Sequence, residues 1–417
     1  MITNTPPFNP ALLREQFPAL QLEVNGKTAV YLDGPAGTQV PQRVIDAISH
    51  VLSVGISNTG GAFAPSEYSR TIIAGARAAM ADFFNARRPE EISFGQSMTS
   101  NTLNFSLALN KTWQAGDEII VTRLDHEGNV SPWLLAAEQR GATVRWLDLH
   151  PEDATLALET LPDLLNERTR LVAVTYASNA VGSITNMQKV VEMAHAAGAL
   201  VFIDAVHYSP HGLIDVQALD CDFLACSSYK FFGPHMGILY GKYEIMAELE
   251  AYKIRPASAK PPTKWEAGTP NIECLAGITA AVDYIASLAG SEGSRRERLV
   301  RAMGLSRAYE MSLSERFLRG ATAVPGLRVF GITDIERLDE RCPTFAVRLD
   351  GHDPEELHQK LGARGIFTWA GDYYAIEAIK RLGYADKGGF LRIGFVHYNT
   401  SAEADAVLNA LADLANG

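Results

Sequence analysis

RLVAVTYASNAVGSITNMQKVVEMAHAAGALVFIDAVHY (170–208) decides the fold. It opens with a β-rich run, RLVAVTYAS (170–178), and passes into the helix-like stretch MQKVVEMAHAAGA (187–199). It then returns to a second apolar β run, LVFIDAV (200–206). Val190, Val191, Ala194 and Ala197 recur at helical spacing and share one face. Short apolar strands alternating with amphipathic helices make βαβ units, and therefore a mostly parallel sheet covered on both faces. The phrase recurs outside this stretch. EIIVTRLD (118–125) reads as a strand, WLLAAEQRGA (133–142) as a helix with a Gly stop, TVRWLDL (143–149) as a strand and DFLACSSYK (222–230) as another. Ligands of such sheets bind beyond the carboxyl ends of the strands, where the loops emerge.

The texture changes after about residue 288. SEGSRRERLVRAMGLSRAYEMSLSERFLRG (291–320) is a charged long-helix region, and LRVFGI, TFAVRLD and LRIGFVHYN follow as strands. This mixed order predicts a large α/β domain over 30–288 and a smaller α+β domain made of 1–29 and 289–417. With 417 residues, two domains is the natural expectation. A hydrophobic share of 47% and a charged share of 20% are ordinary for a globular chain with a large core. No apolar run approaches the roughly 20 residues that span a bilayer, and the N-terminus lacks the pattern of a signal peptide. A cytoplasmic location is the expectation. The net charge of −11 argues against nucleic-acid and anionic-membrane partners, which select a cationic face. Four cysteines (Cys221, Cys226, Cys274, Cys342) form no CxxC pair, so neither a metal site nor a disulfide framework is expected. PPT (261–263) reads as a turn, and the glycine-rich ISNTGGAFAPSEYS (56–69) as a loop.

Polar residues gather at the strand ends. The first end gives Asp125, His126, Glu127, Gly128 and Asn129; the next gives Ser178 and Asn179. Asp204 and His207 follow, then Ser227, Ser228, Tyr229 and Lys230. This inventory suits pyridoxal 5′-phosphate (PLP). A lysine of lowered pKa forms an imine with the aldehyde, and Lys230 suits that role. An acid against the pyridine nitrogen keeps it protonated and makes the ring an electron sink, which suits Asp204. Asn179 and His207 are placed to tune the phenolic oxygen, and His126 to stack on the ring. Phosphate needs backbone N–H groups at a helix start with hydroxyls nearby, as Ser97, Thr99 and Ser100 offer ahead of Leu103 and Leu107.

The same pieces resemble a known family. MTSNTLN (98–104), DHEGNVSPW (125–133), SNAVG (178–182), IDAVHYSP (203–210), CSSYKFFGP (226–234) and EAGTPN (266–271) occur in this order between YLDGPAGTQVP (31–41) and LRIGFVHYNT (391–400). Together they resemble the class V aminotransferases of the fold-type I PLP enzymes, in the cysteine desulfurase and selenocysteine lyase branch. The resemblance implies Lys230 as the Schiff-base lysine, Asp204 as the pyridinium partner and His126 as the stacking group. It implies Asn179 and His207 near the phenolic oxygen, and Thr99, Ser100 and Ser227 as phosphate contacts. Tyr229 stands where relatives often carry a phosphate-binding His. Thr269 matches a phosphate contact supplied by the neighbouring subunit, which implies a homodimer with shared active sites. Arg392 matches the arginine that grips the substrate α-carboxylate.

One departure bears on the reaction. Desulfurases carry a persulfide-accepting cysteine on a loop that corresponds to GIFTWAGDYYA (365–375), and no cysteine stands there. Tyr374 falls near the expected place, Trp369 and Tyr373 beside it, and Cys342 opens a predicted strand. The expected function is a PLP enzyme acting on a small α-amino acid, with desulfurase-like C–S lyase or aminotransferase chemistry. Amino-acid epimerisation and a non-catalytic PLP-fold binder are the alternatives; retention of Lys230 and Asp204 argues against the binder. No GxGxxG follows a predicted strand, so a nicotinamide enzyme is not favoured.

Overall fold

A computed structural model describes residues 8–416. Its central sheet has seven strands: β1 (Ile92–Gly95), β2 (Glu118–Thr122), β3 (Thr143–Leu147), β4 (Thr169–Thr175), β5 (Leu200–Asp204), β6 (Phe223–Ser227) and β7 (Gly237–Gly241). They lie in the order β1-β7-β6-β5-β4-β2-β3. Pairing is parallel from β3 across to β6, and β7 alone runs antiparallel to both its neighbours. β1, β2, β4, β5 and β6 therefore end at one edge of the sheet.

Alternation along the strands divides the core in two. Ile120, Val172, Val174, Ile203 and Leu224 pack on one face, and Ile119, Val121, Ala173, Phe202 and Phe223 on the other. Both sets are apolar because helices cover both faces. The helix between β4 and β5 spans Met187–Ala196, capped by the Asn186 side chain on the Lys189 N–H, and buries Val190, Val191 and Ala194. Ala197 falls just past the helix end and is only half-buried.

The structure refines two sequence readings. The helix after β1 spans Met98–Leu109, but it buries Met98, Phe105, Ala108 and Leu109. Leu103 is exposed and Leu107 half-buried, because the larger Phe105 ring claims the sheet. The stretch 56–69 is not all loop, since helix Ala64–Phe84 starts inside it and its Ser66 and Ser69 hydroxyls bond the backbone of Asn58 and Pro65.

Beyond helix Ile272–Ser287 runs the long helix Arg295–Ala321, opened by a Ser294–Glu297 capping box. A second, antiparallel sheet follows, with β8 (Leu327–Phe330), β9 (Thr344–Leu349), β10 (Trp369–Gly371) and β11 (Phe390–Gly394) in the order β8-β9-β11-β10. Its own core holds Phe317, Phe345, Leu357, Leu391, Ile393 and Leu411. Val30–Tyr31 pairs in parallel with Ile366–Phe367, so the chain crosses to this lobe before entering the large one. No described helix is long and apolar enough to cross a membrane.

Candidate active site

A cavity of about 580 Å³ lies at the carboxyl edge of the central sheet, closed on one side by β10 and the strap after it. Lys230, Asp204, His126, Asn179, His207, Ser227, Tyr229, Thr99 and Arg392 all line it. Chain connectivity explains the convergence. β5 ends at Asp204, β6 leads through one tight turn to Lys230, β4 runs on to Asn179, and β2 is followed by His126.

Lys230 is buried, and its Nζ donates to the carbonyls of Pro35 and Ala36 at 2.5 and 3.1 Å. Burial pushes its pKa down to about 7, with Arg392 in the same direction and Asp204 and Asp33 opposing. The amine is thus largely neutral just above neutrality, the form that attacks an aldehyde. Below about pH 7, capture of free PLP by the cofactor-free chain is expected to slow roughly tenfold per pH unit, levelling off above it. Stopped-flow absorbance measures this; a pH-independent rate would contradict it.

Asp204 is buried and takes one hydrogen bond, from the Val206 N–H at 2.8 Å. Desolvation raises its carboxyl to about 6, so it is ionised at neutral pH and ready to hold a cationic N–H. His126 accepts the Gly128 N–H on Nδ1 at 2.8 Å, which leaves the proton of the neutral ring on Nε2. Burial, then Lys230 and Arg392, hold this imidazole down to about 4. Its loop is fixed from below: Asn129 donates to Asp125 at 2.7 Å and accepts from the Trp133 indole at 3.1 Å.

His207 sits with Nε2 3.1 Å from the Thr344 hydroxyl, and burial keeps it neutral. Behind it, His211 pairs with Glu310 at 2.8 Å, and Cys342 completes a buried group whose donor atoms lie within 4.8 Å of one another. Asn179 donates through Nδ2 to the Tyr373 carbonyl at 3.0 Å, while its Oδ1 is buried without a partner. Arg392 donates from Nη1 to the Asn179 carbonyl at 2.9 Å, and its guanidinium carbon lies 4.3 Å from the Tyr373 ring centre.

At the other end of the cavity, Ser97 caps helix Met98–Leu109. The Ser227 hydroxyl accepts the Met98 N–H at 3.1 Å, tying strand end to helix start. Gly237 makes this approach possible, because a Cβ there would stand 2.2 Å from the Ser97 carbonyl carbon. Tyr229 is stacked on His235, ring centres 4.6 Å apart. Ser100 is not among the lining residues: its hydroxyl closes the capping box with Ser97. Thr269 is also elsewhere, exposed beside Arg70, Arg77 and Tyr252 in a second cavity.

Residue-by-residue reading misses two contributors. The carbonyls of Pro35 and Ala36 hold Lys230, and backbone acceptors leave no side-chain signature. Asp33, whose Oδ1 is buried without a partner, is pushed up to about 6 by burial. Tyr373 and Tyr374 both have left-handed backbone (φ 57° and 59°), and the strap they form carries Asp372 and Trp369 to the cavity mouth.

These residues fit PLP. The buried acid suits a pyridinium, the unpartnered Asn179 Oδ1 and His207 suit the edge of a polar ring, and the neutral lysine suits an aldehyde. The Gly237-dependent helix start, with Thr99 and Ser227 at its rim, suits a phosphate.

Comparison with known proteins agrees with this chemistry. The family model described as Aminotransferase class-V matches residues 30–407. The chain is 33% identical to a cysteine desulfurase of Cronobacter sakazakii over 97% of its own length and 98% of that protein. It is 34% identical to a probable cysteine desulfurase of Mycolicibacterium paratuberculosis over 98% of its length, but spans only 59% of that longer protein. A crystal structure of a cysteine desulfurase from Escherichia coli superposes with a TM-score of 0.85 at 29% identity, covering 98% of both chains. The chain belongs to the class V aminotransferase family, in its cysteine desulfurase-like branch, and is a PLP-dependent enzyme of fold type I.

Proposed function

We propose that this enzyme cleaves the C–S bond of a small α-amino acid of the cysteine type and releases the sulfur as free sulfide. The observation that carries the reading is the composition of the cavity wall: no cysteine lines it among the described residues. Cys221, Cys226 and Cys342 are buried, and burial raises all three thiols, Cys342 up to about 12. Cys274 is half-buried outside the cavity, on helix Ile272–Ser287. A thiolate that takes up sulfur must be ionised and within reach, and none of the four qualifies. Tyr374 instead lies over His126, ring centres 5.5 Å apart.

PLP, when bound, supplies an electrophilic aldehyde for the substrate amine and an electron sink for charge at Cα. In this reading Lys230 carries the imine and Asp204 keeps the pyridine nitrogen protonated. Asn179 and His207 would contact the phenolic oxygen, and Thr99, Ser227 and Tyr229 the phosphate, while Ser100 stays in its capping box with Ser97. Arg392 holds the α-carboxylate through the guanidinium edge that Asn179 leaves free. Lys230 Nζ removes the α-proton. The Cβ–S bond would then break with its electron pair leaving on sulfur, which departs as hydrosulfide with the His126 Nε2–H as its hydrogen-bond donor, the α-proton staying on Lys230. Hydrolysis of the remaining fragment gives pyruvate and ammonia.

Thr269 would reach the phosphate from a second copy, with 30–288 as the cofactor lobe and 289–417 with 1–29 as the small one; residues 1–7 and 417 lie outside the described ones. Exposed Tyr252 and Ile254 beside Thr269 support such a dimer. L-Cysteine incubated with the holoenzyme is expected to give sulfide and pyruvate in equal amounts with no protein persulfide. Alanine as the carbon product, with a persulfide trapped on the chain, would overturn the proposal; a keto acid without sulfide would favour aminotransfer.

A further inference from the structure

We propose that Tyr373 is a specificity-determining residue, which sets the carboxylate preference of the site by fixing the plane of the Arg392 guanidinium. The inference rests on Arg392 being the carboxylate site. Arg392 is 5% exposed, and its one hydrogen bond to the described residues runs from Nη1 to the Asn179 carbonyl. A single bond leaves the group free to turn about its own axis. The Tyr373 ring, 4.3 Å from the guanidinium carbon, removes that freedom by occupying one face. Nε and Nη2, which have no hydrogen-bond partner among the described residues, are then held in one plane, as a bidentate carboxylate requires.

The ring is itself anchored at three points. Its hydroxyl donates to the Phe390 carbonyl, two residues before Arg392 on β11. Its own carbonyl accepts from Asn179 Nδ2 at 3.0 Å. Its left-handed backbone, followed by a second left-handed tyrosine, turns the strap inward at this point. Arg392, Asn179 and Tyr373 thus form a closed cycle: guanidinium to carbonyl, amide to carbonyl, ring to guanidinium. Conformations that disfavour tyrosine persist where the surrounding contacts over-determine them.

L-Alanine, which has no leaving group, and L-alaninamide are the probes, each titrated into holoenzyme and followed by the change in cofactor absorbance. Wild type is expected to prefer alanine by at least about tenfold. Tyr373→Leu should raise half-saturation for alanine about tenfold and leave alaninamide nearly unchanged, whereas Tyr373→Phe, which keeps the ring, should stay near wild type. Equal weakening of both ligands in Tyr373→Leu, an unchanged preference, or loss of the preference in Tyr373→Phe would each overturn the inference. Should Tyr373→Leu not load with PLP, Tyr373→Met takes its place and the Tyr373→Phe result still decides. Arg392→Ala separates the two claims. If it keeps the preference, the reading of Arg392 is wrong; if it loses the preference while Tyr373→Leu keeps it, only the role of Tyr373 falls.

Discussion

Lys230→Ala is expected to reduce turnover by about 10⁴-fold or more, because one substitution removes both the cofactor attachment and the base. At about 1.4 kcal/mol per factor of ten, this is roughly 5 to 6 kcal/mol of barrier. The fold should tolerate the change, since among the described residues Lys230 Nζ donates only to the Pro35 and Ala36 carbonyls, lies over the Tyr229 ring and closes no ion pair. Both carbonyls belong to a loop with its own hydrogen bonds, such as Ala36 N–H to Asp33 and Thr38 N–H to Tyr229. Sulfide release, with circular dichroism as the folding control, measures the effect. Turnover within tenfold of wild type would exclude Lys230 from both roles.

Asp204→Asn is expected to lower kcat by about 10² to 10³-fold, the scale of losing one charge-stabilising group in a closed site. The amide still accepts the Val206 N–H, so the substitution removes charge and little else. The pH profile provides a second readout. The wild-type carboxyl, raised to about 6 by burial, is protonated below that value and ionised above it. A pyridinium N–H against the carboxyl lowers that value in the holoenzyme, so activity carried by the ionised form falls on the acid side of about pH 6, and the asparagine variant should lack that acidic limb. A variant with wild-type kcat, or one that keeps the limb, would show that Asp204 does not support the ring nitrogen.

The parts of the site that could be read in advance lie at the ends of strands. LVFID and DFLACS are short apolar runs whose period and flanks mark them as buried strands, so Asp204 and Lys230 stand out as polar residues where the apolar run stops. The carboxyl-edge rule then places them together. The same reasoning puts Asn179 after β4 and His126 after β2.

What escaped prediction lies off that pattern. The helical spacing of Leu103 and Leu107 marks the helix but not its buried face, which Phe105, Ala108 and Leu109 form. The acceptors of Lys230 are main-chain carbonyls of Pro35 and Ala36, invisible to composition. The inward turn at Tyr373 and Tyr374 needs left-handed backbone at two tyrosines, which local propensity disfavours and only the contacts with Asn179, Phe390 and Glu127 sustain. Ser100 looks like a phosphate ligand in sequence, but its hydroxyl is committed to capping its own helix. Thr269 lies outside the Lys230 cavity altogether, so its proposed phosphate contact needs a second copy.

The attachment of PLP to Lys230 is tested most directly by borohydride reduction of the holoenzyme followed by peptide mass mapping. The geometry predicts loss of the visible absorbance and a single added pyridoxyl-phosphate mass on the peptide containing Tyr229-Lys230-Phe231. The added mass on another lysine, or its absence from a protein that is yellow before reduction, would contradict the account.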